Sequence, residues 1–344
     1  MLAELEYYAD FTKDRRVTSI FFGGGTPSLM PPKLVESLIS KIQSLWSVSN
    51  AIEITLEANP TSVEADKFQA FKMAGVNRVS LGVQSLDDEQ LKFLGRAHNA
   101  DEAIRAIEIA GNCFDRYSFD LIYARPEQSL DMWRDELTQA LKYSNGHMSL
   151  YQLTIEKGTP FFIQHNRGEF QIPEEDLGGA LYELTQDIME GAGMPAYEVS
   201  NHAKLDMASE HNLTYWRYDD YVGVGPGAHG RLTLGGVKQA TRGHRAPDMW
   251  LDRVEKNGHG GHPFEVITSK QQAQEMLMMG LRITEEFDLN RIERDTGIQA
   301  LSVIDFNKAK ALQGEGFLTI TEDGLKTTTA GRQRLNALLD YILI

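Results

Sequence analysis

The chain has 344 residues, of which 42% are apolar and 24% charged, the balance of a globular protein with a substantial core. Its 34 Lys and Arg residues against 49 Asp and Glu residues give a net charge of −15, which argues against a broad nucleic-acid-binding role. No uncharged apolar run approaches the roughly 18 residues that a membrane-spanning helix needs, and the acidic N-terminus is unlike a signal peptide. A cytoplasmic location is therefore expected.

The cysteine content excludes several kinds of site. Cys113 is the single cysteine, so the chain forms no internal disulfide and contains no CxxC redox pair. An iron–sulfur cluster normally takes three or four thiolates from its protein. This chain does not supply them.

Strands and helices are predicted to alternate over the first half of the chain, after an opening helix. Short apolar runs that end in Gly, Pro or polar residues predict five strands, at 17–22, 53–60, 78–85, 117–124 and 147–154. The helical patterns between them suit βαβ crossovers. The expectation is an α/β fold built on a parallel sheet.

The alternation stops after residue 160. One more amphipathic helix is predicted at 174–192, before a stretch rich in Tyr, Trp, His and Gly. The last segment is predicted to be a small α+β module with a winged-helix-like hairpin, and its net charge of −2 does not suit DNA reading. The domain prediction is a partial barrel (1–165), a segment that completes its core (166–245), a linker (246–266) and a C-terminal domain (267–344).

The motif GGGTPS at residues 23–28 follows the first predicted strand directly. Three glycines let the backbone approach a ligand and adopt positive φ, and loops at the carboxyl ends of parallel strands are where ligands bind. A simple tight turn is the alternative. The motif is not a phosphate loop, because the pattern GxxxxGK[ST] is absent.

Polar residues recur at the carboxyl ends of the other predicted strands. Glu57 and Gln84 end the second and third strands, Asp120 lies within the fourth, and Arg96 follows a short helix. In a parallel barrel these ends converge on one face, so the four side chains are expected to share a pocket. Two carboxylates, an amide and a guanidinium suit a zwitterionic ligand with hydroxyl groups. For any one of these residues, helix capping or a solvated charge is the alternative.

A second candidate site is the aromatic segment HNLTYWRYDDY at residues 211–221. His211 among Trp and Tyr residues suits an axial or stacking partner of a flat macrocycle, although a core aromatic cluster is the alternative. The following VGVGPGAHG imitates a dinucleotide fingerprint. Pro226 and the lack of an acidic ribose partner argue against that function.

These motifs together resemble the radical S-adenosylmethionine family, and within it the oxygen-independent coproporphyrinogen III oxidase-like proteins. The resemblance covers nearly the whole chain, and HNLTYW is similar to the motif that separates the haem-chaperone branch of that group from its oxidases. It implies a partial (β/α)6 TIM-like barrel that lacks its first strand, followed by the family's C-terminal domain.

The resemblance also implies ligands and roles. S-adenosylmethionine would be held at Gly24, Gly25, Thr26, Glu57, Gln84, Arg96, Asp120 and Thr154, and haem at His211. The expected function is a haem-binding chaperone that delivers haem to client proteins, including peripheral contact with membrane-bound clients. The alternative is radical oxidative decarboxylation of coproporphyrinogen III. An aldolase-type barrel is a third class, but none of the five strands ends in the Lys that its Schiff base needs.

Two features depart from the family pattern. The family carries a CxxxCxxC loop for a [4Fe–4S] cluster, and this chain has no cysteine before Cys113. A segment upstream of Met1 is expected to carry that loop. Ala124 and Arg125 stand where the family usually has Gly and Leu, and the Arg is expected to alter the charge of the pocket.

Overall fold

The computed structural model describes residues 1–344, apart from the side chains at positions 62 and 63. The chain divides into two compact units. The first unit comprises Met1–Ile20, Leu34–Glu53 and Ser209–Ile344, and the second comprises Phe21–Lys33 and Ile54–Ala208. Within the described part of the chain, no helix has the length and apolarity to cross a bilayer.

Twelve strands form three sheets in the described residues. The strands are β1 (Arg16–Phe22), β2 (Ser47–Ala58), β3 (Arg78–Gln84), β4 (Arg116–Tyr123), β5 (His147–Gln152), β6 (Asn201–Ala203), β7 (His229–Leu234), β8 (Val237–Arg242), β9 (Glu265–Val266), β10 (Phe287–Asp288), β11 (Leu318–Ile320) and β12 (Gly324–Thr327). The largest sheet has the order β1-β2-β3-β4-β5-β6, and two three-stranded sheets have the orders β7-β8-β9 and β10-β12-β11.

Helices connect these strands. They are α1 (Leu2–Thr12), α2 (Pro32–Leu45), α3 (Ser62–Ala65), α4 (Phe68–Met73), α5 (Asp88–Phe93), α6 (Ala100–Cys113), α7 (Leu130–Leu141), α8 (Pro160–Asn166), α9 (Glu175–Gly191), α10 (Glu210–Trp216), α11 (Pro247–Asn257), α12 (Ser269–Gly280), α13 (Asn290–Thr296), α14 (Phe306–Gly314), α15 (Thr329–Gln333) and α16 (Leu335–Ile342). Several begin at a side-chain cap, as at Asn99, which forms a capping box with Glu102 at the start of α6.

The predicted α/β fold with a parallel sheet is confirmed, because β2 pairs with β3, β3 with β4 and β4 with β5 in parallel. Alternating side chains give this sheet two different faces. Large apolar residues such as Leu81, Phe119 and Leu150 are at most 2% exposed and face the helices. The opposite face is polar and carries Ser80 and Asp120 of β3 and β4; we name it the cavity face.

The structure corrects the sequence-based prediction in three places. A sixth strand, β6, pairs antiparallel with β5 where no strand was expected. Strand β2 begins at Ser47, before the predicted start at residue 53. The stretch 246–266, predicted to be a linker or surface loop, contains helix α11, and the backbone N–H of Gly260 donates to the buried carboxylate of Glu4 at 3.0 Å.

The C-terminal hairpin was predicted and is present. Strands β11 and β12 pair antiparallel around a short turn, as the sequence indicated. The structure adds β10, which pairs with the other side of β12. The hairpin packs on α14, whose Asp305 cap accepts from the backbone N–H groups of Asn307 and Lys308.

Candidate functional site

The glycine loop after β1 adopts the conformation that its sequence predicts. Gly24 and Gly25 have φ of +78° and +65°, a region that L side chains rarely adopt. The backbone N–H of Gly24 donates to Glu57 Oε2 at 3.2 Å. A Cβ added to the neighbouring Gly23 would lie 2.5 Å from the ring of Phe21. The loop therefore needs glycine for its turn and for its close packing.

An open cavity of about 170 Å³ lies within the second unit, at the carboxyl ends of the parallel strands. Its lining residues are Gly25, Thr26, Pro27, Glu57, Ala58, Asn59, Ser80, Gly82 and Asp120. Glu57, Asp120 and the glycine loop thus lie around the same cavity, as we expected from the sequence.

Gln84 and Arg96 do not line the cavity themselves, but they form hydrogen bonds with residues that do. The side-chain amide of Gln84 donates to Asp120 Oδ2 at 2.7 Å. The guanidinium of Arg96 donates to the carbonyl of Gly82 at 2.9 Å and to Asn59 Oδ1 at 3.1 Å. Gln84 has a φ of +72°, an uncommon conformation for a residue with a side chain. Strain of this kind is frequent at functional sites.

Burial raises the pKa of both cavity carboxylates. The pKa of Asp120 rises to about 6, because desolvation outweighs the positive charge of Arg96 and the hydrogen bond from Gln84. Asp120 Oδ1 is shielded from solvent and makes no well-formed hydrogen bond with the described residues. Desolvation also raises the pKa of Glu57, opposed by the Gly24 N–H. Each carboxylate can accept further hydrogen bonds, and a ligand with ammonium or hydroxyl groups supplies the donors.

Two of the predicted site residues lie elsewhere. Thr154 is exposed two residues beyond the end of β5 and does not line the cavity. His211 belongs to the first unit, in the first turn of α10. Ligand binding at these two residues stays a prediction.

His211 lies on a helix whose start is held by a buried carboxylate. Glu53 is 2% exposed, and its Oε1 accepts from the Ser209 hydroxyl at 3.1 Å and from the backbone N–H of His211 at 3.2 Å. The His211 ring packs edge-on against Tyr215 with centroids 4.5 Å apart, and Tyr215 against Tyr221 at 4.4 Å. The imidazole is therefore one of three half-buried aromatic side chains that pack edge to face in a row.

The glycine-rich segment 222–230 does not form a nucleotide-binding loop. Its backbone N–H groups bond within the first unit: Gly225 donates to Glu4 at 2.8 Å and Gly227 to the carbonyl of His244 at 2.9 Å. A loop whose donors are already used cannot cradle a phosphate. The sequence-based argument against a dinucleotide fingerprint agrees with these contacts.

Arg125 does not alter the charge of the cavity, contrary to expectation. Its side chain is 3% exposed and forms a bidentate ion pair with Glu136 of α7, while its guanidinium also donates to the Ser85 hydroxyl. The Glu136 carboxylate accepts further from Ser85 and from the backbone N–H of Leu86. Glu136 therefore neutralises the positive charge of Arg125. Neighbouring Ala124 adopts a φ of +55°, which glycine would take without strain.

Sequence reasoning missed several cavity residues. Asn59 and Ser80 line the cavity, and the buried carboxylate of Glu64 accepts from the Asn59 backbone N–H at 2.8 Å and from the Ser28 hydroxyl. A signal was present in the strands: Ser80, Gly82 and Gln84 alternate with Val79, Leu81 and Val83. In a parallel sheet covered on both faces the polar half of this alternation is unexpected, so it marks a face turned to a ligand.

The described residues do not fit a metal cluster. None of their His, Cys, Asp and Glu side chains form a group of three or more that is placed to hold a metal ion. Cys113, the single thiol, lies at the end of α6. One cysteine is fewer than the three or four thiolates that a [4Fe–4S] cluster normally takes from its protein.

Comparison with known proteins connects this fold and cavity to one family. The Radical SAM superfamily model matches residues 2–140, and the HemN C-terminal domain model matches residues 267–334. The solved structure of coproporphyrinogen III oxidase (HemN) from Escherichia coli, a radical SAM enzyme, superposes with a TM-score of 0.79 at 18% identity, over 98% of this chain and 80% of that one. The partial barrel with a C-terminal domain is confirmed as the fold.

Two curated relatives are similar at the level of sequence. The "Radical S-adenosyl methionine domain-containing protein 1, mitochondrial" of Danio rerio is 36% identical over 99% of this chain and 78% of its own length. The "Heme chaperone HemW" of Escherichia coli (strain K12) is 34% identical over 100% of this chain and 88% of its own length. The chain belongs to the radical SAM superfamily and, within it, to the HemN-like family.

Proposed function

We propose that the cavity binds S-adenosylmethionine and that the chain is a haem-binding chaperone that delivers haem to client proteins. The cofactor supplies a nucleoside with vicinal hydroxyls and an amino-acid end. Glu57 and the Gly24–Thr26 loop suit the amino-acid end, because a carboxylate lies there beside the backbone of the glycine loop. Asp120, with Gln84 beside it, suits the ribose hydroxyls as an acceptor.

The residues that line the cavity suit binding and orientation of the cofactor. The family implies a [4Fe–4S] cluster, and the described residues do not fit one. The chain's own residues bind and orient a ligand: they accept from it at Glu57 and Asp120 and enclose it between the glycine loop and β3.

The haem part of the proposal rests on one observation, the placement of His211. Its backbone is fixed by Glu53 at the start of α10, and its ring lies edge-on to Tyr215 while remaining partly exposed. A fixed imidazole with aromatic neighbours suits an axial ligand of a porphyrin iron. Relatives named "Heme chaperone HemW" support the same function. Haem-accepting proteins are the proposed partners, and the cytoplasm is the proposed location.

Substitution of His211 tests this function. We expect the wild-type chain to shift the Soret band of added haem on titration, and His211→Ala to weaken binding about tenfold or more, because the axial ligand is lost. The measurement is the Soret difference spectrum against haem concentration. His165→Ala removes a partly exposed histidine of the second unit and is the control.

Two results would count against the proposal. A wild-type chain that produces no Soret shift would rule out haem binding. If His211→Ala and the wild type bound haem with equal affinity, haem would not bind at α10.

A further inference from the structure

One end of the three-stranded sheet β7-β8-β9 carries a row of basic side chains. His229 of β7 pairs with Arg242 of β8. The backbone N–H of His262 donates to the Arg242 carbonyl at 2.8 Å, which places these two residues opposite each other on the other side of β8. Because paired residues on neighbouring strands point to the same side, the three side chains share one face of the sheet. We name His229, Arg242 and His262 the basic row.

The opposite face of this end of the sheet lies against helix α1. Thr241 is 2% exposed, and a Cβ added to Gly261 would lie 3.8 Å from the Tyr8 hydroxyl. The side chains of His229 and Arg242, by contrast, are exposed. The basic row therefore lies on the open face.

Farther along the same face, basic side chains are paired with carboxylates. The Arg231 guanidinium donates to Glu275 Oε2 at 3.0 Å, and the Lys238 ammonium donates to Asp220 Oδ1 at 2.8 Å. Arg242 forms no side-chain hydrogen bond or ion pair with any residue that the structure describes. Its N–H donors are therefore available to a ligand.

Two more basic side chains lie beside the basic row. The His244 ring stacks on the His262 ring with centroids 3.7 Å apart, and His244 Nε2 is shielded from solvent without a hydrogen-bond partner among the described residues. Burial, and then the charge of Arg253 on α11, lower the pKa of His244. Neither Arg253 nor Arg242 forms an ion pair with Glu265, the carboxylate of β9. Basic groups thus gather at this end of the sheet.

An anion would stabilise this arrangement. A guanidinium with an imidazole on each side repels the protonated forms of both, as like charges opposite each other on neighbouring strands do. The net charge of −15 does not relieve this repulsion, because exposed charges farther apart than about 8–10 Å are largely screened at physiological ionic strength. A negatively charged ligand in contact with the basic row would relieve it.

We propose that the basic row, with Arg253 beside it, is a binding site for a small molecule that carries two or more anionic groups. Guanidinium and imidazole N–H groups donate to phosphate and carboxylate oxygens, and Arg can use two donors at once. Neighbouring strands lie about 4.8 Å apart, so the row extends about 10 Å across its three strands. A single phosphate is too small to contact all three side chains, whereas a diphosphate or a polycarboxylate reaches farther. This site lies in the first unit and does not depend on the function proposed above.

The test uses three anions as probes. Pyrophosphate and citrate each carry several anionic groups and represent phosphate and carboxylate ligands, while inorganic phosphate is a single group. We expect the full chain to bind pyrophosphate or citrate with a dissociation constant below about 1 mM, and inorganic phosphate at least about tenfold more weakly. The tighter of the first two probes identifies the anionic groups of the ligand as phosphates or carboxylates. Isothermal titration at constant ionic strength, without divalent cations, measures the affinities.

Substitutions of Arg242 separate the basic row from the charge of the whole chain. Arg242→Gln is expected to weaken binding of the tighter probe about tenfold or more, because hydrogen bonds between two charged groups are lost. Arg242→Lys keeps the charge and is expected to retain more of the affinity than Arg242→Gln, which damage to the fold would not allow. Arg294→Gln removes the same charge from an arginine that is 60% exposed on α13 of the same unit, and is expected to leave binding unchanged.

Four results would overturn the inference. A wild-type chain that binds neither pyrophosphate nor citrate has no such site, and equal affinity of Arg242→Gln and the wild type would mean that the basic row does not contact the probe. An equal loss in Arg242→Gln and Arg294→Gln would mean that the probe responds to the net charge of the chain. Inorganic phosphate that binds as tightly as the larger probes would show that the site takes a single anionic group.

Discussion

Replacing Arg125 with Leu is expected to lower the free energy of unfolding by about 3–5 kcal/mol, although Leu is the residue that the family pattern favours at this position. The Arg125 and Glu136 side chains are only 3% and 10% exposed and pair with each other. Without the guanidinium, the Glu136 carboxylate is left buried with two hydrogen bonds, from Ser85 and Leu86, but no positive charge. Urea denaturation measures the change.

A double substitution tests whether the missing charge is the cause. Arg125→Leu combined with Glu136→Gln removes both charges and is expected to recover a large part of the loss, because an uncharged amide costs less to bury than a carboxylate. Arg134→Leu, on the exposed side of the same helix as Glu136, is the control and is expected to stay within about 0.5 kcal/mol of the wild type. If Arg125→Leu were as stable as the wild type, pairing with Glu136 would not explain why this chain has Arg at a position where the family usually has Leu.

The second large effect is a pH-dependent stabilisation by Asp120→Asn. The folded pKa of Asp120 is about 6 because of burial, above the value near 3.9 of an unfolded chain. Below about pH 4 the carboxyl is protonated in the folded chain and causes no loss of stability. As the pH rises through about 6, the folded chain must bury a charged carboxylate, and its free energy of unfolding falls. Asn does not titrate, so the variant is expected to gain about 1–3 kcal/mol relative to the wild type between about pH 4 and pH 8.

The measurement is the difference in unfolding free energy between the two proteins across that pH range, since titrations common to both cancel. Asp115→Asn, at an exposed carboxylate before β4, is the matched control. A flat difference for Asp120→Asn would mean that the Asp120 carboxyl is not desolvated in the folded chain.

The strands that carry the cavity were predictable from the sequence because their patterns are strong. Val79, Leu81 and Val83 alternate with small or polar residues, and the strand ends at Gln84, one residue before the predicted end. Strand β6 was missed because three residues that include Asn201 and His202 have no apolar pattern; it forms by pairing with β5. Helix α11 was missed because its flanking Pro, His and Gly residues resemble a loop.

The cavity was predicted only in part. The features that were not predicted depend on contacts between residues distant in the chain. Glu57, Gln84 and Asp120 were found because each ends or lies within a recognisable strand. The sequence did not predict that Glu136 neutralises the charge of Arg125. Glu136 lies on the following helix, and no sequence pattern indicates that the two residues pair.

The open ends of β2, β3 and β4, with the glycine loop after β1, are proposed to form a site for a nucleoside that bears an amino acid. A crystal structure of the chain with S-adenosylhomocysteine tests this most directly. We predict ligand density in the cavity, with the amino-acid end at Glu57 and the glycine loop and with the ribose hydroxyls within hydrogen-bonding distance of Asp120. Density at another place in the molecule, with this cavity empty, would contradict the proposal.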